Sequence, residues 1–307
     1  MARIDVRHAK GSFRTPIVLA SGPAGFGFEL AETLDFRSLG ALTTKTITPE
    51  PRAGNPQPRL LDAPGGAINS IGLENPGLDA FRGNVLPRLR ELATVRIVSL
   101  AGRTPDEISH LAAALETEPG VDWLELNLSC PNVRGETMAD RPNDVAAYVR
   151  EARSASRRPI LVKLPSCDNL VALGEAALSA GADGLTLINA VRGLRICVDT
   201  GRAFLARGTG GLCGPAILPI ALARVFEARQ AFPDTFLIGT GGVTRARDAI
   251  EMLCAGANLV GVGFGVMADP AATFALAAEI EQWLDERGIG DVADLVGAAH
   301  RGGWSVS

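Results

Sequence analysis

Cys130 stands in the run Asn127-Leu128-Ser129-Cys130-Pro131-Asn132, just past an apolar stretch and held by proline in a polar loop. A thiol so placed can act as a nucleophile or as a general acid/base. The histidines of the chain are His8, His110 and His300, all distant from Cys130 in sequence. That argues against a Cys–His nucleophile pair and leaves general-base work open. Lys45 and Lys163 lie inside the apolar runs Leu42-Thr43-Thr44-Lys45-Thr46-Ile47 and Leu161-Val162-Lys163-Leu164. A lysine there either snorkels past a strand end or is a fixed cation aimed at developing negative charge. Two of them at strand ends favour the second reading. Asn69, Asn127, Asn132 and Asn189 each offer a donor and an acceptor. Taken singly, each fits an ordinary Asx turn. Together they suit a planar ligand with alternating C=O and N–H groups, such as a pyrimidine ring.

Glycines add a further possibility. Gly241-Gly242 precedes the helix that opens near Thr244, and Gly261-Val262-Gly263-Phe264-Gly265 ends an apolar run. Bare backbone N–H groups in such loops bind phosphate in many barrels, although tight turns need glycine too.

The elements that must position these residues are short. Candidate strands cover 17–20, 41–46, 96–100, 123–127, 160–164, 184–188, 235–239 and 259–263, with amphipathic stretches between them. Thr104-Pro105-Asp106-Glu107 reads as an N-cap, a first-turn proline and two first-turn acids. Arg141-Pro142-Asn143-Asp144 opens another helix, and Gly181 and Gly256 close helices. Strand–helix alternation of this kind predicts a (β/α)8 TIM barrel formed by residues 1–307 as one domain, with a doubly wound sheet as the alternative. Two connections, 47–75 and 189–214, exceed ordinary βα loops; the second has room for a hairpin. They are expected as insertions at the C-terminal face, where barrel enzymes build their sites. Ser21, Lys45, Ser99, Asn127, Lys163, Asn189, Gly241, Gly242 and Gly263 all fall at or just past strand ends, so a barrel gathers them at one mouth.

Composition narrows the class. The net charge is -4 and the basic residues are scattered, which speaks against a nucleic-acid partner. Charged residues Arg3, Asp5, Arg7 and Lys10 interrupt any secretory apolar region near the start, and no uncharged run is long enough for a membrane helix. The five cysteines are odd in number and form no C-x-x-C pair, so neither a disulfide framework nor a structural zinc site is expected. A cytoplasmic protein with reduced thiols follows, with no metal site. Cys167, Cys197 and Cys254 are expected as core cysteines, and Cys213 as intermediate.

Four stretches carry a resemblance. They are Thr44-Lys45-Thr46-Ile47-Thr48-Pro49-Glu50-Pro51-Arg52, Asn69-Ser70-Ile71-Gly72-Leu73-Glu74-Asn75-Pro76-Gly77, Asn127-Leu128-Ser129-Cys130-Pro131-Asn132-Val133 and Gly210-Gly211-Leu212-Cys213-Gly214-Pro215-Ala216. In this order, over nearly the whole chain, the sequence resembles the soluble class 1B catalytic subunits of the dihydroorotate dehydrogenase family. The resemblance implies an FMN-binding barrel that oxidises dihydroorotate to orotate in pyrimidine biosynthesis, with Cys130 as base and Lys45 beside it. It implies FMN contacts at Ser21, Lys45, Thr46, Ser99, Asn127, Lys163, Ile188, Gly214, Gly241, Gly242, Gly263 and Phe264. It implies substrate contacts at Lys45, Asn69, Ser70, Ile71, Gly72, Leu73, Asn127, Asn132, Asn189 and Ala190. Ala190 replaces the hydroxyl residue usual in the family.

A homodimer is also implied, together with a partner subunit carrying FAD and a [2Fe–2S] cluster that passes electrons to NAD+. This chain lacks the four-cysteine set that such a cluster needs. The rival readings are a related FMN oxidoreductase using another dihydropyrimidine or fumarate, a non-catalytic flavin-binding scaffold, and a non-redox barrel holding a phosphorylated ligand. Turnover of dihydroorotate against dihydrouracil separates the first, and a flavin absorption spectrum excludes the last.

Overall fold

The computed structural model describes residues 1–129 and 141–304. Cys130 and Asn132 lie outside the described residues. The strands, in chain order, are β1 Val6–His8, β2 Gly11–Phe13, β3 Ile17–Leu19, β4 Ala41–Thr43, β5 Leu60–Ala63, β6 Gly66–Asn69, β7 Val95–Leu100 and β8 Trp123–Asn127. They continue with β9 Ile160–Leu164, β10 Gly184–Leu187, β11 Val191–Gly193, β12 Ile196–Cys197, β13 Arg202–Ala203, β14 Gly210–Cys213, β15 Phe236–Thr240 and β16 Leu259–Val262. The helices are α1 Phe28–Ala31, α2 Leu78–Ala80, α3 Leu86–Leu89, α4 Pro105–Leu115, α5 Pro142–Ala155, α6 Leu170–Ser179, α7 Leu218–Ala231, α8 Ala246–Ala255, α9 Phe264–Ala268 and α10 Pro270–Asp285.

Eight strands close into a parallel barrel in the order β3-β4-β7-β8-β9-β10-β15-β16. The helices between them bury the outer face, as a (β/α)8 barrel requires. Every expected barrel strand is present, with edges shifted by a few residues. The second ends at Thr43 because the Lys45 N–H turns aside to the Gly25 carbonyl at 2.9 Å. Pairing resumes one turn later, where the Ile47 N–H reaches the Ser99 carbonyl at 2.8 Å. Thr104 caps α4 through its hydroxyl, which accepts from the Glu107 N–H, and Pro142 opens α5. Asp248 caps α8 by accepting from the Thr244 and Arg245 N–H groups, each at 3.0 Å.

Strand alternation sorts the barrel interior into layers. The lower layer is apolar: Val18, Ala41, Ile97, Trp123, Leu161, Phe236, Ile238 and Leu259 form one cluster with Phe13. Phe13 comes from the β1–β2 hairpin, which plugs the N-terminal end of the barrel, and His8 of the same hairpin rests on Trp123 and Phe236. Above this floor the buried inward residues are polar, including Ser99, Glu125, Lys163, Thr186 and Thr240. The interior is therefore dry and apolar at one end and polar at the end where the loops lie.

The two long insertions do more than extend the loops. β5 and β6 come from the first, and β11 and β14 from the second, yet all four join in one antiparallel sheet ordered β11-β14-β6-β5. The second insertion also carries the small β12–β13 hairpin. The cysteine expectation needs correction. Cys167, Cys197 and Cys254 are all partly exposed. Cys167 and Cys254 still pack on the core, but Cys197 sits on the exposed hairpin. Among the described residues no helix is long and apolar enough to cross a membrane.

Candidate active site

The polar residues at the C-terminal mouth form one continuous hydrogen-bonded chain. Glu125, only 1% exposed, accepts from the Ser99 hydroxyl at 3.2 Å. The Ser99 and Thr46 hydroxyls are 3.0 Å apart, and Thr46 lies 3.2 Å from the Ser21 hydroxyl. The Asn127 amide donates to the Thr46 oxygen at 3.0 Å. Its own carbonyl accepts from the Ser129 hydroxyl at 2.9 Å, and Ser129 accepts from the Asn189 amide at 2.7 Å. The Asn189 carbonyl accepts from the Ala190 N–H at 2.8 Å. Five of the expected site residues, Ser21, Thr46, Ser99, Asn127 and Asn189, are thus brought together from β3, β4, β7, β8 and β10 or the loops that follow them.

Lys163 pairs in register with Asn127 on one side and with Thr186 on the other. It is 6% exposed, and among the described residues it forms no salt bridge. Lysine is almost never fully buried without a partner. Beside it, the Thr186 hydroxyl is the one buried side-chain polar atom of the described residues left without a hydrogen-bond partner. A cation without an ion pair among the described residues and an unpartnered hydroxyl on adjacent strands suit a polar ligand that carries negative charge. Lys45 differs: its side chain is 29% exposed and its ammonium lies 3.8 Å from Glu74, which Arg59 holds at 2.6 Å.

The loop that follows β6 is shaped by backbone. Gly72 and Leu73 both have left-handed φ, 79° and 55°. For leucine this region is strained and persists only where the surroundings enforce it. Here they do. The Ile71 carbonyl accepts from the Asn55 N–H at 2.8 Å, the Ser70 N–H donates to the Arg59 carbonyl at 2.8 Å, and the Asn55 amide donates to the Ser70 carbonyl at 3.0 Å. Asn69 sits on β6 and donates to the Gly211 carbonyl of β14 at 3.2 Å, so it is held by the shared insertion sheet. Cys213 follows on β14, its thiol donating to the Ala67 carbonyl; burial pushes its pKa up.

The glycine loops divide into two kinds. Gly241 and Gly242 have left-handed φ, and a side chain on Gly242 would lie 2.5 Å from the Leu218 nitrogen at the start of α7. Gly214 similarly lies against Gly66. These glycines are required for backbone packing, whatever else they bind. Gly263 is different: a side chain there would meet nothing closer than 3.8 Å. There it would make only ordinary van der Waals contact, with Ala20 and Pro23, and Phe264 begins α9 directly after it. Ile188 is anchored beside the Gly241–Gly242 loop by its N–H on the Thr240 carbonyl at 2.9 Å.

Ser129 and Glu125 belong to the network although neither was among the expected site residues. Ser129 lies within the motif around Cys130. Glu125 carried a usable signal, a charge inside the apolar strand run Trp123-Leu124-Glu125-Leu126, the same signal that marks Lys163.

A buried cation that forms no salt bridge among the described residues, an orphaned hydroxyl, a glycine loop with room for a Cβ and a chain of amides fit a planar, anionic, phosphate-bearing cofactor with a small polar substrate. A family profile described as dihydroorotate dehydrogenase matches residues 3–284. The chain is 45% identical over 295 residues to a protein of Desulforudis audaxviator named dihydroorotate dehydrogenase B (NAD(+)), catalytic subunit, covering 95% of this chain and 96% of that one. A protein of the same name from Geobacillus kaustophilus is 42% identical over 306 residues, covering 99% and 97%. In fold, the chain superposes on the crystal structure of a dihydroorotate dehydrogenase from Eimeria tenella in complex with ferulenol. The TM-score is 0.82 at 24% identity, over 97% of this chain and 89% of that one.

Proposed function

This chain belongs to the dihydroorotate dehydrogenase family, and on that premise we propose that its barrel mouth oxidises dihydroorotate to orotate over FMN, with Cys130 taking the proton. The observation that carries the reading is buried Lys163, which among the described residues has no counter-ion, beside the orphaned Thr186 hydroxyl. FMN, when bound, supplies the hydride acceptor. Ser21, Thr46, Ser99, Asn127, Lys163, Ile188, Gly214, Gly241, Gly242, Gly263 and Phe264 would hold it, with Lys163 offering charge to its reduced form.

The substrate is a cyclic amide with a carboxylate. Asn69, Asn127, Asn132 and Asn189 supply paired donors and acceptors for the ring, and the backbone of residues 70–73 together with Lys45 supplies the positive end for the carboxylate. Cys130 abstracts the proton at the ring carbon next to the carbonyl, and the insertion sheet keeps water from the mouth. Ala190 leaves the substrate one hydroxyl contact short of the family's usual set. Residues 1–307 act as one domain. The chain works in the cytoplasm as a homodimer joined to an electron-transfer subunit that carries FAD and a [2Fe–2S] cluster and reduces NAD+; the words NAD(+) and catalytic subunit in the names of its relatives support the acceptor and the second subunit.

The test is direct. Purified protein is expected to show a flavin absorption spectrum and to reduce an artificial dye with dihydroorotate but not with dihydrouracil. A colourless protein, or equal turnover of both substrates, would overturn the reading.

A further inference from the structure

We propose that Glu125, buried beneath the mouth, and the Ala190 N–H at the opposite end together fix the direction of every hydrogen bond in the run, and so decide which edges Asn127 and Asn189 present. The inference rests on the site reading above. A carboxylate has only acceptors. The Ser99 hydroxyl must therefore spend its proton on Glu125, as the 3.2 Å contact shows. Ser99 can then only accept from Thr46, 3.0 Å away. With its proton committed, Thr46 can only accept from its other neighbours. Those are Ser21 at 3.2 Å and Asn127 at 3.0 Å.

The constraint passes through the amides unchanged. Asn127 must turn its nitrogen to Thr46, because its carbonyl would meet an oxygen with no proton to give. Its carbonyl then faces Ser129, which donates to it at 2.9 Å. Ser129 has no proton left for Asn189, so Asn189 must present nitrogen at 2.7 Å. The Asn189 carbonyl takes the Ala190 N–H at 2.8 Å, which closes the run. One orientation satisfies every link, and the reverse orientation fails at Thr46 and at Ala190. Among the described residues each amide keeps one N–H and one carbonyl lone pair uncommitted, and their positions at the mouth are fixed by the run. Low surrounding dielectric makes a mismatched link in such a chain costly. Glu125 is thus a positioning residue that acts through Ser99, and Ser129 relays its effect from one asparagine to the other.

The experiment uses the FMN-loaded protein with Glu125→Gln, Ser99→Ala, Ser129→Ala and Ser129→Thr. Glutamine can donate where glutamate accepts, so it releases the Glu125 end of the run while keeping the shape. Loss of one correctly pointed hydrogen bond is expected to raise the KM for dihydroorotate about tenfold, with kcat changed less. The dissociation constant for orotate, read by titration calorimetry, is expected to rise by the same factor. Ser129→Ala should reproduce the effect, and Ser129→Thr, which keeps a hydroxyl, should restore it. If Glu125→Gln does not fold, Ser99→Ala makes the same break one link further on. Wild-type KM and orotate affinity in Ser129→Ala, or in whichever of Glu125→Gln and Ser99→Ala folds, overturns the inference. Wild-type protein that ignores dihydroorotate would instead overturn the reading of the site.

Discussion

The cysteines of this chain have different environments, and reactivity should follow them. Burial and the nearby Glu251 carboxylate push the Cys254 thiol up to about 11. Cys197, on an exposed hairpin, has its pKa lowered, chiefly by a hydrogen bond from Thr200. The thiolate is the reactive form. Iodoacetamide at neutral pH should therefore label Cys197 well before Cys254, as followed by peptide mass spectrometry; equal rates would show that the hairpin environment is misread. For Cys130 the expectation is kinetic. A free thiol has a pKa of about 8.5, so flavin bleaching by dihydroorotate should rise with pH and level off near that value. Cys130→Ser should slow bleaching by roughly 10²–10⁴-fold and leave the flavin spectrum unchanged. A mutant that bleaches at the wild-type rate rules the cysteine out. Lys163→Met removes the buried cation, and FMN binding should weaken by about 1.5–3 kcal/mol, the usual cost of a charge-assisted bond. Unaltered FMN affinity with an unaltered reduction rate would detach Lys163 from the cofactor.

Two elements have consequences of their own. The β1–β2 hairpin closes the barrel floor with His8 against Trp123 and Phe236. Burial holds the His8 pKa below its ordinary 6.5, opposed by Asp183 and aided by Lys10. The unfolded chain then binds this proton before the folded one does. Stability from neutral His8 is present above about pH 6.5 and is lost as pH falls toward the lower folded value. Melting temperatures of wild type and His8→Gln should therefore converge as pH drops from 7.5 to 5.5. A constant difference across that range would mean that the hairpin histidine does not titrate. The insertion sheet makes a steric demand. A side chain on Gly211 would lie 2.6 Å from the Ala190 Cβ, beside Asn189. Gly211→Ala should raise the KM for dihydroorotate several-fold and destabilise by ~1–3 kcal/mol, the range for overpacking, whereas Ala190→Thr, facing a bare glycine, should be tolerated. Equal behaviour of the two variants would show that the sheet does not press on the site.

At the scale of the whole molecule, a cofactor that fills the mouth should stabilise the barrel by mass action. Stripping FMN should lower the melting temperature, and adding it back should restore the difference in a concentration-dependent way. A melting temperature indifferent to FMN would place the flavin elsewhere. The barrel strands were legible in the chain because each strand is a local apolar run bounded by turn and cap signals such as Thr104-Pro105 and Gly256. The mouth was legible for a related reason: Lys163, Asn127 and Ser99 are polar residues at the ends of such runs, and a closed barrel leaves their strand ends no other meeting place. What the sequence could not supply were relations between distant segments. Pairing of β6 with β14, more than 140 residues apart, depends on the closed ring holding both insertions over one mouth. Glu125 and Ser129 gain their roles only from neighbours on other strands, because a hydrogen bond joins groups within about 3 Å and sequence distance says nothing of that. Local periodicity determined the elements and their order; only the folded barrel decided which polar groups face one another, and which of them, Lys163 and Thr186, are left without a partner among the described residues.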